Sequence, residues 1–230
     1  MNIQSIVYRF GDIYEFVNLR LYDWKAKFNI LGQLVGKSRE GEPPLKVLDV
    51  GCGTGYLVKY LHESVDYEGW DLNNHFLDIL KRDWKKGRIK LAKFIIKQKD
   101  IFDFSSYPEG KDVIVLSDVL HHICPRHLEL VQNAKKHAKK VIIAELCAVK
   151  PKDMQAHDWT ARAALFFVKF LPEWLYRLVD LILADNDGIN SFDDRYSWNY
   201  DKPRLIDFYR KLGVKKIYTL KDEIFGVWEA

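Results

Sequence analysis

Apolar and polar positions follow two different patterns along this 230-residue chain, and the patterns predict different elements. Short β-branched runs are typical of buried strands, whereas apolar positions that recur every three to four residues predict helices. The two kinds of segment alternate, which predicts βαβ units and a parallel sheet covered on both faces. The predicted strands are 46–50, 66–71, 94–97, 112–116 and 141–144, and the predicted helices between them are 56–62, 74–84 and 126–137.

Both ends of the chain depart from this alternation. Residues 3–35 have a helical and strongly aromatic pattern, and a loop follows over 36–44. Near the other end, 203–211 predicts a helix, and 215–218 and 224–228 predict two strands joined by a short turn. Strands joined so tightly must pair antiparallel. The fold class is therefore α/β, with an antiparallel end, in one domain over 1–230.

Residues 150–200 form more chain than a crossover between strands requires. An amphipathic stretch over 160–184 comes first, and Pro172 is expected to break it into two helices. We expect this helical insertion and an N-terminal helical lid over 1–40 to cover an apolar pocket. A dimer interface, contact with a membrane surface and plain core packing are the alternatives. The polar loop that follows lacks the distal Glu of a calcium loop, so no metal is predicted.

Composition excludes several classes of protein. Hydrophobic residues make up 48% and charged residues 30%, which excludes a disordered chain, and a net charge of +4 is too small to predict a nucleic-acid partner. Three widely spaced cysteines predict neither a disulfide framework nor a zinc site. No apolar stretch approaches the roughly 18 residues of a bilayer span, and the first residues lack a signal-peptide pattern. We expect a cytoplasmic protein. Aromatic residues reach 14% and concentrate in the first 28 residues and in 159–200, where they predict the wall of an apolar pocket.

The strongest chemical signal follows the first predicted strand. There the run VLDVGCGTG places Gly51, Gly53 and Gly55 at alternate positions before a predicted helix. Glycines let the backbone turn sharply against a ligand, and a helix N-terminus offers unpaired N–H groups. Asp71 ends the next predicted strand, where a carboxylate suits the two hydroxyls of a ribose.

Two neighbouring side chains argue against a dinucleotide site. The dinucleotide fingerprint is GxGxxG, and its third glycine is replaced here by the bulky Tyr56. Asp49 precedes the turn, where a carboxylate would repel a pyrophosphate but attract an ammonium or sulfonium ligand.

The run VLDVGCGTG resembles the first motif of class I S-adenosylmethionine-dependent methyltransferases of the small-molecule type, and the resemblance covers at least 45–150. It implies a Rossmann-like, doubly wound, seven-stranded sheet that is mostly parallel with an antiparallel C-terminal strand. It also implies S-adenosylmethionine as the cofactor. The segment KDI at 99–101 resembles the part that contacts adenine, and LSDVLHHI at 116–123 resembles the part beside the transferred methyl. The cofactor-binding residues that the resemblance implies are Asp49, Gly51, Cys52, Gly53, Gly55, Tyr56, Asp71, Leu72, Asp100, Ile101, Leu116 and Ser117.

The implied reaction is methyl transfer by in-line displacement to a small hydrophobic, aromatic or lipid-like acceptor. Such a reaction depends on alignment, and it requires a general base only where the acceptor must lose a proton. His121, His122 and Glu145 are the candidate catalytic residues. The candidate acceptor contacts are Tyr14, Trp24, Arg195 and Trp198.

Two other functions stay open at this point. One is methylation of tRNA or rRNA, which the absence of an Asn/Asp-Pro-Pro-Tyr/Phe element after the fourth strand disfavours. The other is a non-catalytic, cofactor-binding subunit of a complex. For the methyltransferase we expect a small-molecule acceptor as partner, no nucleic acid, and a monomer or homodimer.

Overall fold

A twisted sheet of seven strands forms the centre of the described chain, in the order β3-β2-β1-β4-β5-β7-β6. The computed structural model describes residues 4–148, 156–168, 170–183, 186–191, 193–194 and 197–230. Neighbouring strands pair parallel from β3 to β5, and β7 lies antiparallel between β5 and β6. The predicted α/β fold with an antiparallel C-terminal strand is confirmed. The strands are β1 Leu45–Val50, β2 Val65–Asp71, β3 Lys93–Gln98, β4 Lys111–Ser117, β5 Ala138–Leu146, β6 Lys216–Leu220 and β7 Glu223–Glu229.

Helices cover both faces of the sheet because its central strands are apolar on both sides. In β4, Val113 and Val115 belong to one buried cluster, and Ile114 and Leu116 belong to another. The first cluster includes side chains of α3 and α4, and the second includes side chains of α5 and α8. The helices are α1 Ile6–Arg9, α2 Gly11–Leu21, α3 Trp24–Val35, α4 Asn74–Lys85, α5 His127–His137, α6 Trp159–Val168, α7 Glu173–Leu183 and α8 Lys202–Lys211.

The aromatic N-terminal segment is divided into three helices where the pattern predicted one helical stretch. Phe10 and Tyr22 take extended backbone, and each of them ends a helix. Asp23 then starts α3, because its carboxylate accepts a hydrogen bond from the amide of Ala26 at 3.1 Å. Gly11 begins α2 in close contact with α4, where a Cβ would lie 2.2 Å from Ile79 Cδ1.

The helix predicted over 56–62 is a short 3-10 helix, Tyr56–Tyr60. The chain runs from the end of β1 back to the start of β2 through residues 51–64. A 3-10 helix advances about 2.0 Å per residue against about 1.5 Å for an α-helix, so it spans that distance with fewer residues. The glycine turn is therefore not followed by an α-helix.

The insertion after β5 forms two helices on either side of Pro172, as predicted. It is joined to the N-terminal segment, because the amides of His157 and Asp158 donate to the carbonyls of Leu21 and Arg20, both at 2.9 Å. None of the described helices combines the length and the apolar character that a bilayer crossing demands.

Large apolar side chains of the insertion are exposed, which excludes plain core packing for them. Trp159 and Phe170 are 75% and 73% exposed, and Phe167 and Trp174 are similarly open. These rings therefore lie on the surface, whereas the sequence predicted the wall of a pocket for this segment. A dimer interface and contact with a membrane stay predictions for this surface.

Candidate active site

The glycine turn after β1 satisfies its own backbone amides. Gly51 and Cys52 both donate to the carbonyl of Trp70, at 2.8 and 2.9 Å, and Gly55 donates to the carbonyl of Cys52. The amide of Gly53 donates to the carboxylate of Asp71 at 2.8 Å. The amides of these four residues are therefore paired, whereas the unpaired N–H groups were predicted for the N-terminus of the helix that follows the turn. A turn with few free donors is unsuited to a phosphate, which agrees with the argument against a dinucleotide.

Each glycine of the turn has a separate structural reason. All three have positive φ, between 54° and 73°. A Cβ on Gly55 would lie 2.0 Å from Leu80 Cδ2, so Gly55 allows α4 to pack closely. Gly53 has open space where a side chain would be, because a Cβ on this residue would meet no described heavy atom within 4 Å. Gly53 therefore leaves room in front of the turn.

A cavity of about 650 Å³ lies in front of the turn, at the carboxyl ends of β1, β2 and β4. This is the point where the strand order reverses, the usual ligand position in open α/β sheets. A smaller cavity of about 50 Å³ adjoins it and shares the glycine turn. Of the predicted residues, the larger cavity is lined by Tyr14, Gly51, Gly53, Asp71, Leu72, Asp100, Ile101 and His122, and the smaller one by Tyr14, Trp24, Asp49, Gly51, Cys52, Gly53, Tyr56 and Ser117.

Asp71 is held rigidly at the edge of the larger cavity. One carboxylate oxygen accepts from Gly53 N and the other from Asn73 N, each at 2.8 Å. Burial raises the pKa of Asp71, and these backbone donors work against the rise. A carboxylate oxygen can accept more than one hydrogen bond, so the group remains able to accept from ligand hydroxyls.

Asp49 is buried at the base of the smaller cavity, with 3% of its surface exposed. Burial raises its pKa to about 7, although the hydroxyl of Tyr67 donates to it at 2.8 Å and so favours the ionised form. The charge of Asp71 adds to the increase. A positively charged ligand group next to Asp49 would relieve both effects.

Asp100 and Ile101 form the third predicted contact with the cofactor. The Asp100 carboxylate accepts from the amide of Phe102 at 2.8 Å, which makes it a turn cap as well as part of the cavity wall. The Ile101 side chain is buried, and its carbonyl accepts from the hydroxyl of Tyr107. The segment predicted to contact adenine is thus fixed by its own hydrogen bonds.

His122 joins three parts of the chain at the larger cavity. Its Nε2 lies 3.1 Å from the hydroxyl of Tyr8, and its Nδ1 lies 3.6 Å from the carboxylate of Asp187. Tyr8 and Asp187 also line the cavity. Sequence reasoning did not pair either residue with His122, because only the tertiary fold brings the N-terminal helix and the insertion to this loop.

His121 is held from the other side by Glu145. The distance from His121 Nδ1 to Glu145 Oε2 is 2.7 Å, and the second oxygen accepts from the amides of Val119 and Leu120. Glu145 is fully buried, whereas the His121 side chain is 19% exposed. Glu145 therefore orients His121 and the turn after β4, and it is not placed to contact an acceptor itself.

Five other predicted residues are not among the described wall residues of either cavity: His121, Glu145, Gly55, Leu116 and Trp198. Gly55 and Leu116 pack against neighbouring elements, and neither is among the described wall residues of either cavity. Trp198 is buried, donates from Nε1 to the carbonyl of Leu146 and lies 6.4 Å from the ring of His121. Arg195 lies outside the described residues.

A buried ion cluster next to the smaller cavity was missed by sequence reasoning. The ammonium of Lys27 lies 2.6 Å from Asp118 Oδ1 and 2.8 Å from Glu223 Oε1, and the lysine is 1% exposed. Both carboxylates raise its pKa against the strong lowering effect of burial. A signal was present, because Lys27 occupies the apolar stripe of α3 between Trp24 and Leu31.

Asp118, His121 and Glu145 are a set whose ligand atoms lie within 4.8 Å of one another, close enough for a metal ion. Their oxygens are committed to other partners, however. Both oxygens of Asp118 accept from Lys27, and Glu145 accepts from backbone amides and faces His121. The set is therefore better described as a hydrogen-bond network.

A cleft at the point of strand reversal, with a carboxylate at the end of the second strand, is typical of an α/β domain that binds a nucleoside. A family model described as a methyltransferase domain matches residues 22–181. The chain belongs to this family, whose cofactor is S-adenosylmethionine.

Several known proteins are similar to this chain. The non-reducing polyketide synthase Preu3 of Preussia isomera is 21% identical over 132 residues, which cover 55% of this chain and 5% of that protein. The CurJ carbon methyltransferase superposes with a TM-score of 0.62 at 18% identity, over 96% of this chain and 58% of that one. An O-methyltransferase family protein from Burkholderia thailandensis has a TM-score of 0.58 at 14% identity, over 95% and 58%. Magnesium protoporphyrin IX methyltransferase from Synechocystis PCC 6803, solved with bound SAH, has a TM-score of 0.54 at 12% identity, over 89% and 82%.

These similarities support the fold, but the similar proteins differ from one another in the atom that they methylate. The chain spans only 5% of the polyketide synthase and 58% of the first two structures. The named neighbours include both a carbon methyltransferase and an O-methyltransferase family protein.

Proposed function

We propose that this chain transfers a methyl group from S-adenosylmethionine to a small, hydrophobic or aromatic acceptor. The observation that carries the proposal is the 650 Å³ cavity at the strand reversal, lined by the glycine turn and Asp71 and continuous in its wall with the smaller cavity at Asp49. Small-molecule sites are mostly clefts of about 300–1,000 Å³, so the larger cavity has the size of one such ligand.

The residues present fit the cofactor. Asp71 offers carboxylate oxygens for ribose hydroxyls, and Ile101 offers an apolar surface for adenine. Ser117 Oγ is buried beside the smaller cavity and has no hydrogen-bond partner among the described residues, which suits a polar ligand group there. When bound, S-adenosylmethionine supplies an electrophilic methyl group on a positively charged sulfur.

The chain itself would contribute alignment, exclusion of water and a proton acceptor. We assign the proton acceptor to His121, because a buried carboxylate oxygen of Glu145 fixes its ring at 2.7 Å. A base oriented by a buried carboxylate is a common way to hold an imidazole ready for proton transfer. Glu145 is then a positioning residue, and His122 belongs to the cover of the cofactor cleft.

We also propose that the N-terminal helices and the insertion form this cover, within the predicted lid over 1–40 and insertion over 150–200. Hydrogen bonds between the N-terminal segment and the insertion support this proposal. Gln4 Nε2 donates to the carbonyl of Asp187, and Ser5 N donates to the carbonyl of Asn186, both at 3.0 Å. Cofactor binding should then slow amide hydrogen exchange in residues 4–21 and 186–191. Unchanged exchange in both segments would contradict a lid.

The experiment that tests the function combines cofactor binding with turnover. The purified chain is titrated with S-adenosylmethionine by calorimetry and then incubated with a library of small aromatic acceptors, with mass spectrometry for a gain of one methyl. Asp71→Asn should weaken cofactor binding by about tenfold or more, because the site loses a negatively charged hydrogen-bond acceptor. Asp66→Asn, at the other end of β2, is the matched control.

His121→Asn should keep cofactor affinity and lower kcat by about 10² or more for acceptors that lose a proton. Wild-type protein that binds no S-adenosylmethionine would overturn the proposal. If the protein binds S-adenosylmethionine and methylates RNA but no small acceptor, the acceptor class is RNA and not a small molecule.

A further inference from the structure

Apart from the cofactor cleft, which the two adjoining cavities at the glycine turn form, a second cavity of about 150 Å³ lies at the carboxyl end of β5 beside the turn between β6 and β7. It shares none of its described wall residues with the two cavities at the glycine turn. Its volume is that of a cavity able to hold one benzene-sized ring. The apolar part of the wall consists of Leu21, Tyr22, Leu146, Cys147 and Leu220.

The polar part of the wall is mainly acidic. Asp23, Asp222 and Glu223 contribute three carboxylates, against Lys221 and His157. Glu223 is the buried one, with 7% of its surface exposed. An acidic wall around an apolar pocket excludes anionic ligands and favours cations with an apolar body.

Glu223 has a carboxylate oxygen without a partner. Its Oε1 accepts from Lys27 at 2.8 Å, whereas Oε2 is buried and meets no hydrogen-bond donor in the part of the chain that the structure describes. The Lys27 ammonium is shared with Asp118, so one positive charge faces two carboxylates, the buried one of Glu223 and the 20% exposed one of Asp118. A buried acceptor atom left unpaired is costly, and a cationic ligand at this cavity would compensate the negative charge of the Glu223 carboxylate.

The ion cluster also places the second cavity next to the cofactor cleft. Asp118 lines both cavities at the glycine turn, Glu223 lines the second cavity, and Lys27 bonds to both carboxylates. The cluster therefore stands between the two spaces. A ligand in the second cavity would therefore be connected to the cofactor cleft through these three side chains.

We propose that the second cavity binds the protonated amine and adjoining ring or chain of the acceptor, with Glu223 as the partner of the amine. This rests on the proposed methyltransferase function, and it narrows the acceptor to small apolar amines. No covalent step involves Glu223, which anchors the ligand through its charge.

The test uses phenethylamine and its neutral counterpart 2-phenylethanol as probes, with calorimetry on the full chain at pH 8. Wild-type protein should bind the amine at least about tenfold more tightly than the alcohol. Glu223→Gln should remove that difference, since the amide keeps the size of the side chain and loses its charge. Glu229→Gln, at the exposed end of the same strand, should keep it.

A second variant keeps the test decisive if Glu223→Gln does not fold. Leu220→Trp fills the cavity from its rim and should abolish amine binding while S-adenosylmethionine still binds. Equal affinity for amine and alcohol, no amine binding by the wild type, or full amine binding by either variant would overturn the assignment.

Titration supplies a further readout. Burial raises the pKa of Glu223 to about 7, against the opposing effect of Lys27. The other charged groups that face it are Asp118, Glu145 and the neighbouring Asp222. Amine affinity should therefore rise between pH 6 and pH 8, while the amine stays protonated.

The two proposals fail separately. Charge-selective amine binding that depends on Glu223, in a protein that does not bind S-adenosylmethionine, would count against the methyltransferase function alone. Cofactor binding and methyl transfer without charge-selective amine binding would overturn only the acceptor assignment.

Discussion

Three carboxylates at the carboxyl ends of neighbouring strands are held by three kinds of donor. Asp49 accepts from the Tyr67 hydroxyl, Asp71 accepts from backbone amides, and Asp118 accepts from the Lys27 ammonium. Lys27 is thus the one cation that contacts any of these carboxylates in the hydrogen bonds of the described residues. The site is electronegative, which favours a cationic cofactor over its neutral-sulfur product.

Asp49 should make cofactor affinity depend on pH. Its pKa is about 7, so the ionised fraction increases as the pH rises through 7. The affinity for S-adenosylmethionine should increase between pH 6 and pH 8, because the charged form attracts the sulfonium. Asp49→Asn should weaken binding at pH 8 and flatten this profile in calorimetric titrations. Asp112→Asn, at the opposite end of β4, is the control, and a flat wild-type profile would contradict the assignment.

Lys27 should be important for stability. Removing one partner of a buried ion pair leaves charge uncompensated and costs about 3–5 kcal/mol. Lys27→Met leaves Asp118 and Glu223 facing each other and should lower the free energy of unfolding by about that amount in urea titrations. Lys25→Met, exposed on the same helix, should change it by less than about 0.5 kcal/mol. Equal effects of the two substitutions would show that the cluster contributes nothing.

At the scale of elements, the strands were predictable and the helices after them were only partly so. β1, β4 and β5 have β-branched runs that are buried on both faces, and such runs depend little on context. The 3-10 helix Tyr56–Tyr60 has the apolar spacing of an α-helix, so its form was not predictable from the local pattern. The roles of Lys27 and Glu223 depend on residues about 200 positions apart in sequence meeting in the fold, which no local pattern contains.

Gly55 tests how closely α4 must approach the turn. Gly55→Ala places a methyl group against Leu80 and also requires a left-handed backbone, with φ of 73°. The backbone penalty is about 1–2 kcal/mol and overpacking adds about 1–3 kcal/mol. Gly110→Ala is the matched control, because its φ is 68° and no described atom lies within 4 Å of the new methyl group. The free energies of unfolding of the two variants should differ by the overpacking contribution. Equal losses of stability in both variants would contradict the close packing of α4 against Gly55.

The whole molecule combines titrating groups with opposite effects on stability. Asp49 and Glu223 both have pKa values raised to about 7, chiefly by burial. Burial also acts on Glu68, but hydrogen bonds from Lys97 and Lys111 outweigh it and lower the pKa to about 2. The first two groups hold their protons more tightly in the folded state, and Glu68 holds its proton less tightly.

Stability should therefore fall on both sides of about pH 4.5. From there to pH 7 the contribution of Asp49 and Glu223 is lost as the pH rises, with a slope of up to about 1.4 kcal/mol per pH unit for each group. Below it, the contribution of Glu68 is lost as the pH falls towards 2. Urea titrations at half-unit intervals measure the profile. Glu223→Gln should reduce the slope between pH 4.5 and 7 and leave the acid side unchanged, and an unaltered slope would refute the contribution of Glu223.

The internally bonded glycine turn has a consequence for how fast and how tightly the cleft can be filled. Its amides already pair with Trp70, Asp71 and Cys52, so its conformational entropy is lost when the chain folds. Little of the association energy is then spent on ordering this loop. The turn is a preorganised surface, and with the proposed lid in place we expect ligand exchange at this site to be governed by the N-terminal helices and the insertion.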